Sequence, residues 1–187
     1  MKRPLVLIGH SMGGILARAQ IIGLTPEKAE QMRPGVAKLA QASLVRRSLI
    51  FEPRSNVKRV IFICTPHWGS RLATSGIAGL GIRLILLPSW IVDELPDFAH
   101  VRFADGRLPT SIHGLSPDSR FLQALNRARA TSPSHSIIGE HDDVAPASSA
   151  GLESALSEIA VPAGYGAFAH PKAIQEIKRI LLMTEDK

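Results

Sequence analysis

The sequence predicts an α/β fold in which a parallel sheet lies between two helical layers, three layers in all. Three observations carry this. Leu5, Val6, Leu7 and Ile8 form a short apolar run that passes through Gly9-His10-Ser11-Met12-Gly13-Gly14 directly into a helix-forming stretch, a strand turning into a helix. A β-branched run at 57–64 ends in a loop of turn-forming residues and reads as the next parallel strand. Two further strand-like stretches, 135–138 and 156–161, are followed by a closing amphipathic helix over 171–182. With 187 residues, 45% of them hydrophobic, the chain buries a sizeable core, and one domain over 1–187 is expected.

The elements follow in order. The first apolar run reads as a buried strand. In the turn after it, residues two before and two after Ser11 approach closely, so Gly9 and Gly13 are expected to be glycine because a Cβ would collide, and Gly14 to let the helix approach the sheet. Thr25-Pro26-Glu27 has the form of an N-cap, a first-turn proline and an early acid; Pro34-Gly35 ends that short helix, and a second is expected over 36–49. The segment 71–126 is less regular: an apolar Gly-rich stretch, Leu95-Pro96-Asp97, a turn-rich stretch, then a helix from Pro117 capped by Ser116. In the closing helix, Ile174, Ile177, Ile180 and Leu181 fall on one face.

Composition narrows the function. The net charge is +6, but the basic residues come in scattered pairs without a basic run or interleaved aromatics, which argues against nucleic acid. A basic surface suits anionic membranes or acidic partners. The single cysteine, Cys64, allows no internal disulfide and reads as a small buried hydrophobe, compatible with a reducing compartment. Met1-Lys2-Arg3 imitates the start of a secretion signal, but the apolar run stops after four residues. The most apolar window, 76–87, contains Arg83 and is too short to cross a bilayer of about 30 Å; a cytoplasmic location is the expectation. His135, His141, Asp142 and Asp143 match no metal-ligand spacing, and no phosphate-binding glycine loop is present, so neither metal nor cofactor is expected.

The strand, G-H-S-M-G-G and helix together resemble the nucleophile elbow of the α/β-hydrolase family, in which a strained turn projects the serine hydroxyl. Ser11 would stand at a helix N-terminus, where unpaired N–H groups favour negative charge, and the Met12 N–H is a candidate oxyanion donor. The stretch V-K-R-V-I-F-I-C-T-P-H-W-G-S resembles the strand and T-P-H-x-G-S loop of bacterial lipase-like hydrolases, and 139–146 resembles the family's acid loop G-x-x-D-G-V-V-P. On that alignment Asp142 takes the acid position and Asp143 replaces a glycine. The resemblance implies that 71–126 forms a helical lid or cap over the site; a pair of helices packed on the sheet is the alternative. It also covers only the part of the fold from the elbow onward. The expected form is therefore an N-terminally truncated three-layer α/β-hydrolase-like sheet, with the second oxyanion donor missing and the first strand an open edge suited to self-association.

Serine becomes a nucleophile when a histidine takes its proton and a carboxylate orients that histidine. The chain order serine, acid, histidine places the histidine between the last strand and the last helix. Here relatives carry V-P-S-G-H-G, whereas this chain has Val161-Pro162-Ala163-Gly164-Tyr165-Gly166. A phenol, which ordinarily titrates near about pH 10, is a poor base. His170, five residues on, lies within roughly 17 Å of extended chain and is the candidate base or a helix-capping residue; His67, in a loop at the same sheet end, is the other candidate. His10 is read as a packing residue. The resemblance thus implies a serine hydrolase acting on small-molecule or lipid esters through Ser11 and Asp142, with His170 as the candidate base if the loop is re-routed; the alternative is a catalytically impaired remnant or binding module, because Tyr165 holds the histidine position.

Overall fold

The computed structural model describes residues 3–23, 25–32, 52–70 and 115–183. The elements are β1 (Leu5–His10), α1 (Met12–Ile22), α2 (Pro26–Met32), β2 (Val57–Ile63), α3 (Arg120–Arg127), β3 (Ser134–Gly139), α4 (Ala147–Ala150), β4 (Ser157–Val161) and α5 (Pro171–Leu181). A 3₁₀ turn, Ala167–Ala169, precedes α5. The four strands among the described residues are parallel in the order β1-β2-β3-β4, so each of them pairs with its neighbour in sequence.

Side-chain alternation along β2 builds both faces of the core. Val60 and Phe62 pack with Ala17 and Ile21 of α1, while Ile61 and Ile63 pack with Ile137, Ala173 and Ile180, the last two from α5. Helices α1 and α3 share a further cluster of Ile15, Ala19, Leu122 and Leu125. Helices therefore cover both faces of a sheet whose centre, β2 and β3, is almost wholly buried, the three-layer arrangement expected. The lid expected over 71–126 and the helix over 36–49 fall largely or wholly outside the described residues.

Four local expectations are corrected. Strand β1 lies at the edge of the described sheet, as expected, but is not buried: Leu5, Val6 and Ile8 are exposed, Ile8 by 49%. The helix expected from Pro117 starts at Arg120, because the Ser119 N–H closes a turn on the Ser116 carbonyl and the Ser119 side chain then caps the Leu122 N–H. Along α5 the buried positions are Ala173 and Ile180 with Ile177 partly buried, an i, i+4, i+7 stripe, while Ile174 and Leu181 lie beside it, 54% and 49% exposed. Finally, β2 ends at Ile63, since Cys64 turns to φ 45°.

Candidate active site

Parallel strands deliver their following loops to one end of the sheet, and the residues singled out above collect there. Ser11 sits between β1 and α1 at φ 53°, ψ −128°. An L residue with positive φ is strained. The strain is held by packing on both sides: a Cβ on Gly9 would lie 2.5 Å from the Gly14 Cα, and one on Gly14 would overlap Thr65 in the loop after β2. Gly13 is different, with open space where its Cβ would be. The collision expected at Gly9 and Gly13 is therefore between Gly9 and Gly14. The Ser11 N–H donates to the Ile63 carbonyl (2.9 Å) and the Gly14 N–H to the Ser11 carbonyl (2.9 Å). The Met12 N–H opens α1, where the first-turn amides lack intrahelical acceptors.

Cys64 stands in line with Ser11 on the neighbouring strand, since the register pairs His10 with Ile63. It is the second non-glycine residue at positive φ among those described. Its thiol faces the Gly164 carbonyl (3.9 Å). Burial, and after it the Asp142 carboxylate, push the thiol up to about 12, so it stays protonated at neutral pH. Its burial matches the sequence reading. Its turn conformation and its acidic neighbour could not be read from one cysteine in an apolar run.

Asp142 follows β3 and is buried. Its Oδ1 accepts from the Val144 N–H (2.8 Å) and the Ala145 N–H (3.0 Å), an Asx-type turn that fixes the carboxylate, while Oδ2 is buried without a partner among the described residues. Asp143 points into solvent. The acid loop is tied to the loop after β4: the Glu140 and His141 N–H groups donate to the Val161 and Ala163 carbonyls, and a Cβ on Gly139 would strike the Gly164 carbonyl at 2.7 Å.

That pairing carries Tyr165 across to the first strand. His10 Nε2 donates to the Tyr165 carbonyl (2.9 Å), and the His10 ring packs against Tyr165 (centroids 4.5 Å apart) and Phe168 (5.0 Å). His10 is thus the packing residue expected. His170 caps α5, its Nδ1 accepting from the Lys172 N–H (3.3 Å). His67 is buried against Phe62, and its Nδ1 accepts from Arg18 (3.3 Å). Burial, and secondarily the Arg18 charge, hold it down near 3. A ring so hard to protonate is a poor acceptor for a serine proton. His135 lies buried at the far end of β3 from Asp142, with Nδ1 2.7 Å from Ser157 Oγ.

One cluster escaped the sequence reading. Arg18, buried in α1, donates to His67 Nδ1 and to Asn126 Oδ1 of α3, and Asn126 Nδ2 donates to the His67 carbonyl (2.9 Å). The signal available was an arginine within the mainly apolar Ile15-Leu16-Ala17-Arg18-Ala19 stretch. This cluster ties α1, the loop after β2 and α3 together.

The fold and the strained serine corner define a class, the parallel α/β proteins with a strand–serine–helix elbow. Comparison places the chain more closely: it belongs to the α/β hydrolase family, whose model matches residues 1–176. Among solved structures it is similar to a lipase from Bacillus licheniformis (15% identity, TM-score 0.52, covering 97% of this chain and 66% of the lipase). A hydrolase from Pseudomonas aeruginosa is also similar (14% identity, TM-score 0.45, 97% and 66%). The chain thus spans about 66% of the length of these structures. No curated protein sequence matches it.

Proposed function

We propose that this chain is a serine hydrolase acting on carboxylic esters. Ser11 Oγ attacks the ester carbonyl as its proton passes to a histidine, the Met12 N–H stabilises the oxyanion, the C–O bond to the alcohol breaks as the histidine returns the proton to it, and water then hydrolyses the acyl-serine to release the acid and restore Ser11. Asp142 orients the histidine. The observation that carries the reading is the Ser11 corner: a non-glycine residue at φ 53° at a helix N-terminus, with Gly9 and Gly14 packed to hold it there. The base in this reading is His170, which must release the Lys172 amide as the 167–169 turn opens; Tyr165, His67 and Asp143 take no proton. A small-molecule or lipid ester fits an expected apolar cover over 71–126, and the net charge of +6 favours contact with an anionic membrane surface. The test is a fluorophosphonate probe on the folded chain. Labelling that disappears in Ser11→Ala supports the assignment, and no labelling of the wild type refutes it.

A specific observation favours a second reading, a catalytically impaired scaffold that binds its ligand without hydrolysing it. Asp142 Oδ2 has no donor among the described residues, Tyr165 stands at the sequence position where the resemblance implies a histidine, and His170 is engaged in capping. In either reading the open edge of β1, with exposed Val6 and Ile8, supports pairing with a second copy; sedimentation as a monomer at high concentration would count against that pairing.

A further inference from the structure

Away from the Ser11 corner, a cavity of about 480 Å³ opens between Trp68, the end of α3 and the segments 128–133 and 152–156. Arg18 forms part of its wall although the residue is only 4% exposed. Its two acceptors, His67 Nδ1 and Asn126 Oδ1, are both uncharged. Burial lowers the guanidinium to about 10, so it remains a cation at neutral pH. Because His67 accepts on Nδ1, its proton sits on Nε2, and that buried N–H has no acceptor among the described residues. Among the described residues, therefore, the cluster carries a positive charge that meets only uncharged acceptors, and one buried N–H, His67 Nε2, without a partner.

A buried cation without a countercharge is costly, and a paired one far less so. The cavity brings further anion-binding groups to the same space: the exposed Arg129 and the Ser154 hydroxyl line it, with Glu153 also on the rim. We propose that this cavity binds a small oxyanion, a carboxylate or phosphate group, through the guanidinium groups of Arg18 and Arg129. A planar fork of N–H donors matches the paired oxygens of either group, which a lysine would not do. Ser11, Asp142 and Tyr165 do not line the cavity, so this binding stands or falls independently of ester hydrolysis.

The experiment is isothermal titration of the full chain with sodium phosphate and, separately, sodium acetate, at constant ionic strength set with sodium chloride. Saturable binding of at least one anion is expected, and the tighter of the two identifies the group. Arg129→Gln should weaken it about tenfold, the size of one charge-assisted hydrogen bond, and Arg18→Gln should abolish it. No saturable binding of either anion, or binding unchanged in Arg129→Gln, overturns the proposal. Should Arg18→Gln fail to fold by circular dichroism, the exposed Arg129 variant decides alone.

Discussion

At the β1–α1 corner, Ser11 is held at φ 53° by contacts that are mostly local: Gly9 lies against Gly14, and Gly14 against the Thr65 side chain of the next strand's loop. At the β4–α5 connection the groups that meet come from opposite ends of the chain. Tyr165 reaches His10 across 155 positions, and Asp142 is anchored through Oδ1 while Oδ2 has no donor among the described residues. The first corner is enforced by steric exclusion, so any sequence that folds this way must respect it. The second depends on which side chain occupies one half-exposed loop position, which folding hardly constrains. A scaffold of this kind can therefore keep its serine corner intact while the side chain at the facing loop position changes.

The largest effect should come from breaking the first corner. Gly9→Ala puts a Cβ into backbone 2.5 Å away, and chemical denaturation should report a loss of roughly 2–4 kcal/mol. At the second corner, Tyr165→His offers Asp142 a nitrogen partner. Hydrolysis of p-nitrophenyl acetate should rise by about a hundredfold, the lower end of what a positioned base contributes; no gain would argue that the Ser11 corner has become structural.

The loop after β2 connects the two corners, and its buried His67 makes their integrity depend on pH. The folded ring is held near 3, whereas an unfolded histidine protonates near about 6.5. The unfolded chain therefore binds the extra proton in the window between, so this contribution to stability is complete above about pH 6.5 and declines as pH falls toward 3. Thermal melts from pH 7 to 4 should show a smaller decline for His67→Gln than for the wild type.

His170 gives a smaller but sharper contrast. Replacing it by alanine should cost about 1 kcal/mol through the lost cap of α5, while asparagine, a good N-cap, should restore stability. If hydrolysis is lost in both variants, the imidazole acts in catalysis; if it is retained in His170→Asn, the residue only caps. Smallest of all is Gly13→Ala. With open space at its Cβ and a place in α1, it should stabilise the chain by about 0.5–1 kcal/mol.

The same division explains what could be read in the sequence. The four strands, α1, α5 and the Ser11 corner were legible because apolar runs, glycine spacing and caps act over a few residues. The exposure of Ile174 and Leu181 was not, since a helix period identifies an apolar arc but the neighbouring sheet selects which part of it is covered. Likewise Ser116 and Ser119 are equally good caps in isolation, and the turn closed on the Ser116 carbonyl chooses between them. The Arg18–His67–Asn126 cluster and the closeness of Cys64 to Asp142 join distant segments, and no local pattern encodes them.

Because spatial order in the sheet repeats order along the polypeptide, each newly synthesised strand finds its neighbour already present. The described sheet can therefore grow by successive additions to one advancing border as the chain leaves the ribosome. The contact between His10 and the loop after β4 joins the first of these strands to the last, so the serine corner is braced from that side only after β4 has been added.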